Sequence, residues 1–231
     1  NGYIGKKVYE KLKKKFIIYG IGRDKKLSKK KNIINKTITH KNLNELKCMP
    51  DIILHIAGGS SVSKSLEDPK KDEKDTFKSG KILIDYYSNF KLKKNIRYIL
   101  ISSAAVYGEK ANKTKPISPY GKNKLKLEKY FIKKIKTRNH NLLILRLFSL
   151  YGAGLKKQLL WDACNKILNN NFEFYGTGKE IRSWVYIEDF LKILIKFMTI
   201  KLKNKIEIID IAGDSVVKNK DIIKLIFKNF K

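Results

Sequence analysis

Short, unbroken apolar runs alternate along the chain with longer stretches whose apolar residues recur three or four apart. The runs are Phe16–Gly22, Asp51–Ala57, Tyr98–Ser103, Leu142–Leu147 and Ile206–Ala212, and each predicts a buried strand. The longer stretches predict amphipathic helices. Ile4, Val8 and Leu12 stripe the first, Ile82, Leu83 and Tyr86 a second within Lys81–Phe90, and Leu125, Phe131, Ile132 and Ile135 a third. Leu159, Leu160, Ala163 and Ile167 stripe a fourth, and Asp189–Met198 and Asp221–Phe230 read as two more. Lys25 to Lys47 is polar and poorly periodic, a connection with a short strand near Ile33 and Ile38.

The candidate chemistry lies between Tyr98 and Lys124, in YILISSAAVYGEKANKTKPISPYGKNK. The strand there ends in two hydroxyls, Ser102 and Ser103. A polar loop follows. Ser118-Pro119 then opens a helix, with serine as N-cap and proline at the first helical position. Tyr120 and Lys124 stand four apart on it and share a face. A free phenol titrates at about 10 and is a poor base near neutrality. An ammonium one turn away lowers that value. With a strand-end hydroxyl on the same substrate oxygen, Ser103, Tyr120 and Lys124 form a device for moving a proton on and off a sugar or alcohol oxygen. The Tyr-x-x-x-Lys spacing alone is weak, because both residues are common in this chain and a solvated helix face is the better reading of it, by roughly ten to one.

SSAAVYG followed by SPYGKNK resembles the extended short-chain dehydrogenase/reductase family, the NAD(P)-dependent sugar-nucleotide epimerases and dehydratases. Further segments carry the resemblance over nearly the whole chain. It implies an α/β fold: a Rossmann-type, doubly wound parallel sheet over 1–148, and a small substrate-binding lobe over 149–231 interleaved with the last sheet elements. It makes Ser103, Tyr120 and Lys124 catalytic, and places Ser102, Tyr120 and Lys124 at the cofactor as well. NGYIG is similar to the second half of the family's glycine-rich loop, which puts Gly2, Tyr3, Ile4 and Gly5 at the cofactor pyrophosphate. The first glycine and the first strand of that motif are missing, so the chain reads as starting inside it and as stopping short of the family's C-terminal lobe.

The remaining segments follow in order. At the end of the second strand, where an acid normally binds the adenosine ribose, stand Gly22 and Arg23. Arg23 suits a 2′-phosphate and hence NADP; Asp24, next along, suits NAD, and both cofactors stay open. DIILHIAG resembles the family's DVVIHLAA, which brings Ala57 and Gly58 past the cofactor; His55 within it reads as a core histidine. The loop from Gly59 to Ser63 covers the nicotinamide side, with Ser60 toward substrate. SLEDPKKDEKDTFKSG is similar to the next family segment, but Thr76 and Gly80 replace the usual Asn and Thr. RLFSLYGAG resembles RxFNxYGPG, with Ser149 where many members have Asn. Gln158 and Leu159 open the helix that holds the nucleotide diphosphate in the family. EIRSWVYIED resembles the family's RDFVYVDD segment: Arg182 is the diphosphate-gripping arginine, Ser183 replaces an Asp, and Tyr175 is expected at the nucleotide base. Glu188 and Asp189 read as a helix start. A homodimer through the Tyr120 helix is implied by the resemblance.

Composition changes little in this picture. At 231 residues the chain can bury one core, or one and a half. Its formal charge of +31 invites a nucleic-acid reading, yet only five residues (Arg23, Arg97, Arg138, Arg146, Arg182) are arginine. The lysines fall on polar helix faces and in loops, and the densest run, Lys29-Lys30-Lys31, has no aromatic residues placed for base stacking. A solvated surface that attracts anions non-specifically is the plainer reading, and no specific nucleic acid is expected. Cys48 and Cys164 supply neither a disulfide framework nor a metal spacing, so no metal is expected and a reducing, cytoplasmic setting is. No signal peptide is expected, and no apolar run is long enough to span a membrane. The expected activity is a nucleotide-sugar 4-epimerase working by transient hydride transfer through a 4-keto sugar. Dehydratases carry an Asp-Glu pair where this chain has Ala104 and Ala105, and methyl groups move no protons. An NADPH-dependent 4-keto-sugar reductase needs the same three residues and stays open, as does a fragment that binds no cofactor.

Overall fold

A computed structural model describes residues 2–23, 32–89, 95–108, 113–174 and 176–230. Asp24, the Lys29–Lys31 run, Phe90 and Tyr175 lie outside the described residues. In chain order the elements are α1 (Tyr3–Leu12), β1 (Gly20–Ile21), β2 (Ile33–Ile34), α2 (His40–Asn44), β3 (Ile52–His55), α3 (Val62–Glu67), α4 (Pro69–Glu73), α5 (Ser79–Ser88), β4 (Arg97–Ser103), α6 (Pro119–Lys136) and β5 (Asn141–Leu147). They continue with β6 (Ser149–Tyr151), α7 (Gln158–Leu168), β7 (Ile181–Tyr186), α8 (Ile187–Thr199), β8 (Ile206–Ile211), β9 (Val216–Lys218) and α9 (Asn219–Phe230). The chain divides into two units, 1–147 with 193–210, and 148–192 with 211–231.

The first unit is built on parallel strands. β3, β4, β5 and β8 lie side by side in that order, and β1 pairs in parallel with β2 as a separate two-stranded piece. No described strand joins the two pieces. Tyr98 to Ser102 of β4 are all buried, as an unbroken apolar run in a sheet covered on both faces requires. α5 and α6 supply part of that cover: Leu83, Ile84, Tyr87, Leu127, Phe131 and Ile135 share one core with residues of β3, β4 and β5. Leu127, Phe131 and Ile135 recur four apart, so one stripe of α6 faces the sheet while its lysines face water. Each such side chain, fully buried, contributes about 1.5–3 kcal/mol.

The second unit holds the three-stranded sheet β6-β7-β9, parallel between β6 and β7 and antiparallel between β7 and β9. Its β7 lies within the EIRSWVYIED segment.

Three elements depart from the sequence expectation. The strand expected over Phe16–Gly22 pairs only at Gly20–Ile21. Ile38 is not in a strand; it leads into α2, which Thr39 caps by accepting the Asn42 N–H at 3.1 Å. The helix expected over Lys81–Phe90 is α5, which begins at Ser79 and is preceded by one π-helical turn, Lys74–Lys78. Such turns insert one residue into the ladder and recur near functional sites.

Candidate active site

β4 ends at Ser103, and α6 begins sixteen residues later at Pro119. Ser118 caps α6 by accepting the Gly121 N–H at 3.1 Å, and Pro119 occupies the first turn, where its missing N–H is not needed. Ser65 of α3 fixes the same turn: its hydroxyl accepts the Tyr120 N–H at 3.1 Å and donates to the Val62 carbonyl at 2.7 Å. Gly121 lets α6 come close, because a β-carbon there would stand 2.3 Å from the Ala105 carbonyl oxygen. This approach puts Tyr120 against the end of β4.

The three expected catalytic residues meet there. The Ser103 side chain neighbours the Tyr120 phenol and pulls its titration down, and its hydroxyl accepts the Ala105 N–H at 3.2 Å. Lys124 is buried; its Nζ donates to the Ile101 carbonyl at 3.0 Å and lies 5.9 Å from the centre of the Tyr120 ring. Burial pulls the Lys124 ammonium down to about 8, against the charges of Asp72 and Glu128, which push it up. Burial likewise raises the Tyr120 phenol above its ordinary value; Ser103 pulls it down and Asp72 pushes it up. The phenol thus moves up, not down as expected from Lys124: burial is the largest cause, and the groups that act on it are Ser103 and Asp72.

The expected cofactor residues are distributed around this point. Ala57 and Gly58 follow β3 directly, and Gly58 has φ +139°, which a side chain would strain. A β-carbon on Gly58 would lie 3.3 Å from Lys124 Nζ. Gly2 is the extended N-cap of α1, Tyr3 and Ile4 open that helix, and Gly5 follows in its first turn. Among the described residues, and apart from their chain neighbours and the helix's own backbone, nothing lies within 4 Å of where β-carbons on Gly2 or Gly5 would be. Arg23 follows β1 and is ion-paired with Asp75 at 3.0 Å. Ser102, expected at the cofactor, is buried and donates its hydroxyl to Glu128. Ser60 is exposed in the loop after β3.

Sequence reasoning missed the polar groups behind the site. Glu128 is buried and takes two bonds from Arg146 of β5, at 3.1 and 2.7 Å. Arg146 also donates to the Tyr107 hydroxyl at 2.8 Å. Buried Asp72 and Thr76 form a second polar group with half-buried Asn123, which donates to Asp72 at 2.8 Å. Asn123 lies inside the Tyr-x-x-x-Lys spacing itself, which was the available signal.

In the second unit, Ser149 opens β6 and is half-buried, and Gln158 and Leu159 open α7. Gln158 has φ +68°, a strained conformation for a non-glycine residue. Arg182, exposed on β7, donates from Nε to Asn219 at 3.2 Å. Asn219 and Leu159 both line a cleft of about 300 Å³ that also includes Phe174, Thr177 and Lys220. Ser183, where an Asp was expected, is buried and binds Gly213 at both its N–H, 2.6 Å, and its carbonyl, 3.3 Å. Tyr175, expected at the nucleotide base, lies outside the described residues.

A family model described as NAD dependent epimerase/dehydratase matches residues 1–212. The chain belongs to the NAD dependent epimerase/dehydratase family. Curated relatives include a dTDP-D-glucose 4,6-dehydratase of Dictyostelium discoideum, 27% identical over 197 residues, covering 76% of this chain and 44% of the relative. A UDP-glucose 4-epimerase of Mycoplasma genitalium is 26% identical over 209 residues, 78% of this chain and 61% of that one. The chain thus spans roughly half the length of the curated relatives it matches, 44%, 61% and 55% in three of them. Among solved structures, a UDP-glucuronic acid 4-epimerase from Bacillus cereus, in complex with UDP-glucuronic acid and NAD, superposes with a TM-score of 0.85 at 24% identity, over 100% of this chain and 81% of that one. A UDP-glucose 4-epimerase from Thermotoga maritima gives 0.84 at 20% identity, over 98% and 79%. At these identities the structures speak for the fold, which is the family's Rossmann-type α/β sheet. Among the described residues no helix is long and apolar enough to cross a membrane, and no cluster of three or more His, Cys, Asp or Glu side chains could hold a metal.

Proposed function

We propose that the chain belongs to a nucleotide-sugar 4-epimerase that binds a nicotinamide dinucleotide. The observation that carries the reading is the convergence of Ser103, Tyr120 and a buried Lys124 at the end of β4. The residues fit the cofactor. Gly2 and Gly5 leave the first turn of α1 open to a pyrophosphate, and Gly58 keeps the backbone bare beside Lys124. Gly2, Tyr3, Ile4, Gly5, Ala57 and Gly58 would hold the dinucleotide, and Lys124 its ribose. A bound nicotinamide supplies the hydride acceptor and donor.

The chain's own residues do the rest. Tyr120 takes the proton from a sugar hydroxyl and returns it. Ser103 donates a hydrogen bond to the same sugar oxygen as its carbonyl character grows. Lys124, charged and one turn from Tyr120, favours the phenolate once substrate and cofactor close the site. Arg182, Gln158 and Leu159 would hold the diphosphate, with Ser60 and Ser149 toward the sugar. Several curated relatives are dehydratases. Against that branch stand Ala104 and Ala105 in the turn after β4, which carry no acid or base. A 4-keto-sugar reductase is the second reading, favoured by Arg23 at the end of β1, where a 2′-phosphate of NADP would sit; its ion pair with Asp75 is one contact NADP would have to share. A homodimer through α6, a cytoplasmic setting and a part in cell-surface polysaccharide synthesis go with the first reading.

The test is to incubate the chain with NAD or NADP and UDP- or dTDP-sugars and follow the sugars by NMR. Interconversion of C4 epimers without net reduction of cofactor is expected, and Tyr120→Phe should slow it by about 10²–10⁴-fold, the usual worth of a general acid–base group. Consumption of NADPH in proportion to a keto sugar would replace this reading by the reductase. Loss of water from the sugar would replace it by a dehydratase, and no turnover with any sugar would sink it.

A further inference from the structure

One buried acid beside Tyr120 and Lys124 takes no part in that proton path. Asp72, on α4, is 6% exposed. Asn123 donates to its Oδ2 at 2.8 Å, and the Thr76 hydroxyl points to its Oδ1 at 3.5 Å. Thr76 Oγ1 in turn accepts the Gly59 N–H at 2.7 Å. The backbone after β3 passes so close that a β-carbon on Gly59 would stand 1.9 Å from Asp72 Oδ1. Lys124 Nζ is at the same place: a β-carbon on Gly58 would lie 3.2 Å from Thr76 Oγ1 and 3.3 Å from Nζ. The end of β3, α4 with the π turn after it, and α6 therefore meet around one carboxylate next to a buried ammonium.

A carboxylate taken this far from water costs several kcal/mol unless a cation offsets it. No ion pair to Asp72 within 4 Å is present among the described residues. The charged groups that act on Lys124 are Asp72 from α4 and Glu128 from its own helix. Glu128 is already paired with Arg146 of β5. His55, from β3, is held neutral by burial, with a pKa near 3. Asp72 is thus the acid near Lys124 whose charge is not already balanced by an arginine.

We propose that Asp72 is a positioning residue of this site: its carboxylate is the counter-charge that keeps buried Lys124 protonated, and its bonds to Asn123 and Thr76 fix α6 against the end of β3. This deepens the reading of Ser103, Tyr120 and Lys124 as the proton-moving group and rests on it. A negative charge here favours the ammonium of Lys124 and disfavours the phenolate of Tyr120. Removing it must lower both titrations together, which loss of packing alone does not do.

The variant is Asp72→Asn, which keeps the shape and removes the charge. Tyr120 is read by tyrosinate absorbance as a difference against Tyr120→Phe, and Lys124 by NMR of lysine labelled at Cε, assigned with Lys124→Arg. Both midpoints are expected to move to lower pH by about one unit, since one unit of pKa is ~1.4 kcal/mol and a unit charge one side chain away is worth that much at an intermediate dielectric. Midpoints that stay in place would reduce Asp72 to packing and overturn the proposal. Should Asp72→Asn fail to fold, the unsubstituted chain decides. Lys124 titrating near 8 is expected, and a Lys124 already neutral at pH 7 would leave Asp72 nothing to balance and overturn it. Neither titration needs cofactor or sugar. A chain that turns over no sugar sinks the proposed function and leaves these midpoints to be judged alone.

Discussion

His55 shows how far a single residue in this site is from water. It is 2% exposed in β3 and stacks on Phe131 with ring centres 6.1 Å apart. Among the described residues its Nε2 has no hydrogen-bond partner. Burial first, and the Lys124 charge second, hold its pKa down to about 3 from the ordinary 6.5. Between those values the unfolded chain takes up a proton that the folded chain refuses. Stability therefore falls as pH falls from about 6.5 to about 3, by up to ~1.4 kcal/mol per pH unit from this group. His55→Met, similar in size and without a titrating nitrogen, should lose this part of the acid limb in urea unfolding measured across that window. It should keep neutral-pH stability, because it also removes an unmatched buried nitrogen worth about 1–3 kcal/mol. A variant whose stability declines as steeply as the unsubstituted chain's would mean that His55 is not held neutral. The residue scale is also where the sequence was most and least legible. Tyr120 and Lys124 were readable because their spacing on one helix is fixed by the chain. Asp72 was not: Glu67, Asp68, Glu73 and Asp75 flank it, and only the packing of α4 against Gly59 singles it out.

At the scale of elements, α6 decides where Tyr120 stands, and Gly121 decides how close α6 comes. A glycine inside a helix ordinarily costs about 1 kcal/mol relative to alanine. Gly121→Ala would recover that if space allowed. Its β-carbon would instead stand 2.3 Å from the Ala105 carbonyl oxygen and 2.9 Å from Pro116 Cβ. The first contact is with backbone, which yields less readily than a flexible side chain, so overpacking wins, at about 1–3 kcal/mol. Gly121→Ala is thus expected to lower the urea midpoint and to cut turnover further than the lost stability explains, since α6 must move off the turn that follows Ser103. A gain in stability would show that α6 has room to spare. The start of this helix was legible because Ser118-Pro119 is a local signal that needs no tertiary partner. The π turn at Lys74–Lys78 and the two-residue extent of β1 were not. A π turn uses the same residues as an α turn with a shifted ladder, and a strand is only as long as its pairing with a neighbour.

For the whole molecule, the order of elements was readable from periodicity, while an interleaved second lobe was expected from the resemblance alone. The chain leaves the first unit after Leu147, returns to it at Ile193 and leaves again after Asp210. Apolar periodicity does not record such returns, because each segment looks the same whichever core it joins. Charge, by contrast, is fully written in the sequence, and it makes a prediction at this scale. Against 52 Lys and Arg the chain has 21 Asp and Glu. Even if every acid took one cation, 31 cations would remain, so like-charge pairs outnumber opposite ones. The ion pairs that do form are mostly on the surface, as with Lys36–Glu45 and Lys126–Glu73, and such pairs are worth about 0–1 kcal/mol each. The repulsion acts over longer distances, and the screening length shrinks from about 30 Å at 0.01 M salt to about 10 Å at 0.1 M. Added sodium chloride in that range should therefore relieve more repulsion than it weakens attraction, and the urea midpoint should rise with the slope of the transition unchanged. If the midpoint fell instead, the few surface pairs would outweigh an excess of 31 charges, and the lysines would have to be arranged around acids far more closely than the described pairs are. The same excess should give weak, sequence-independent DNA binding that disappears steeply as salt rises, because what is bound is the phosphate backbone.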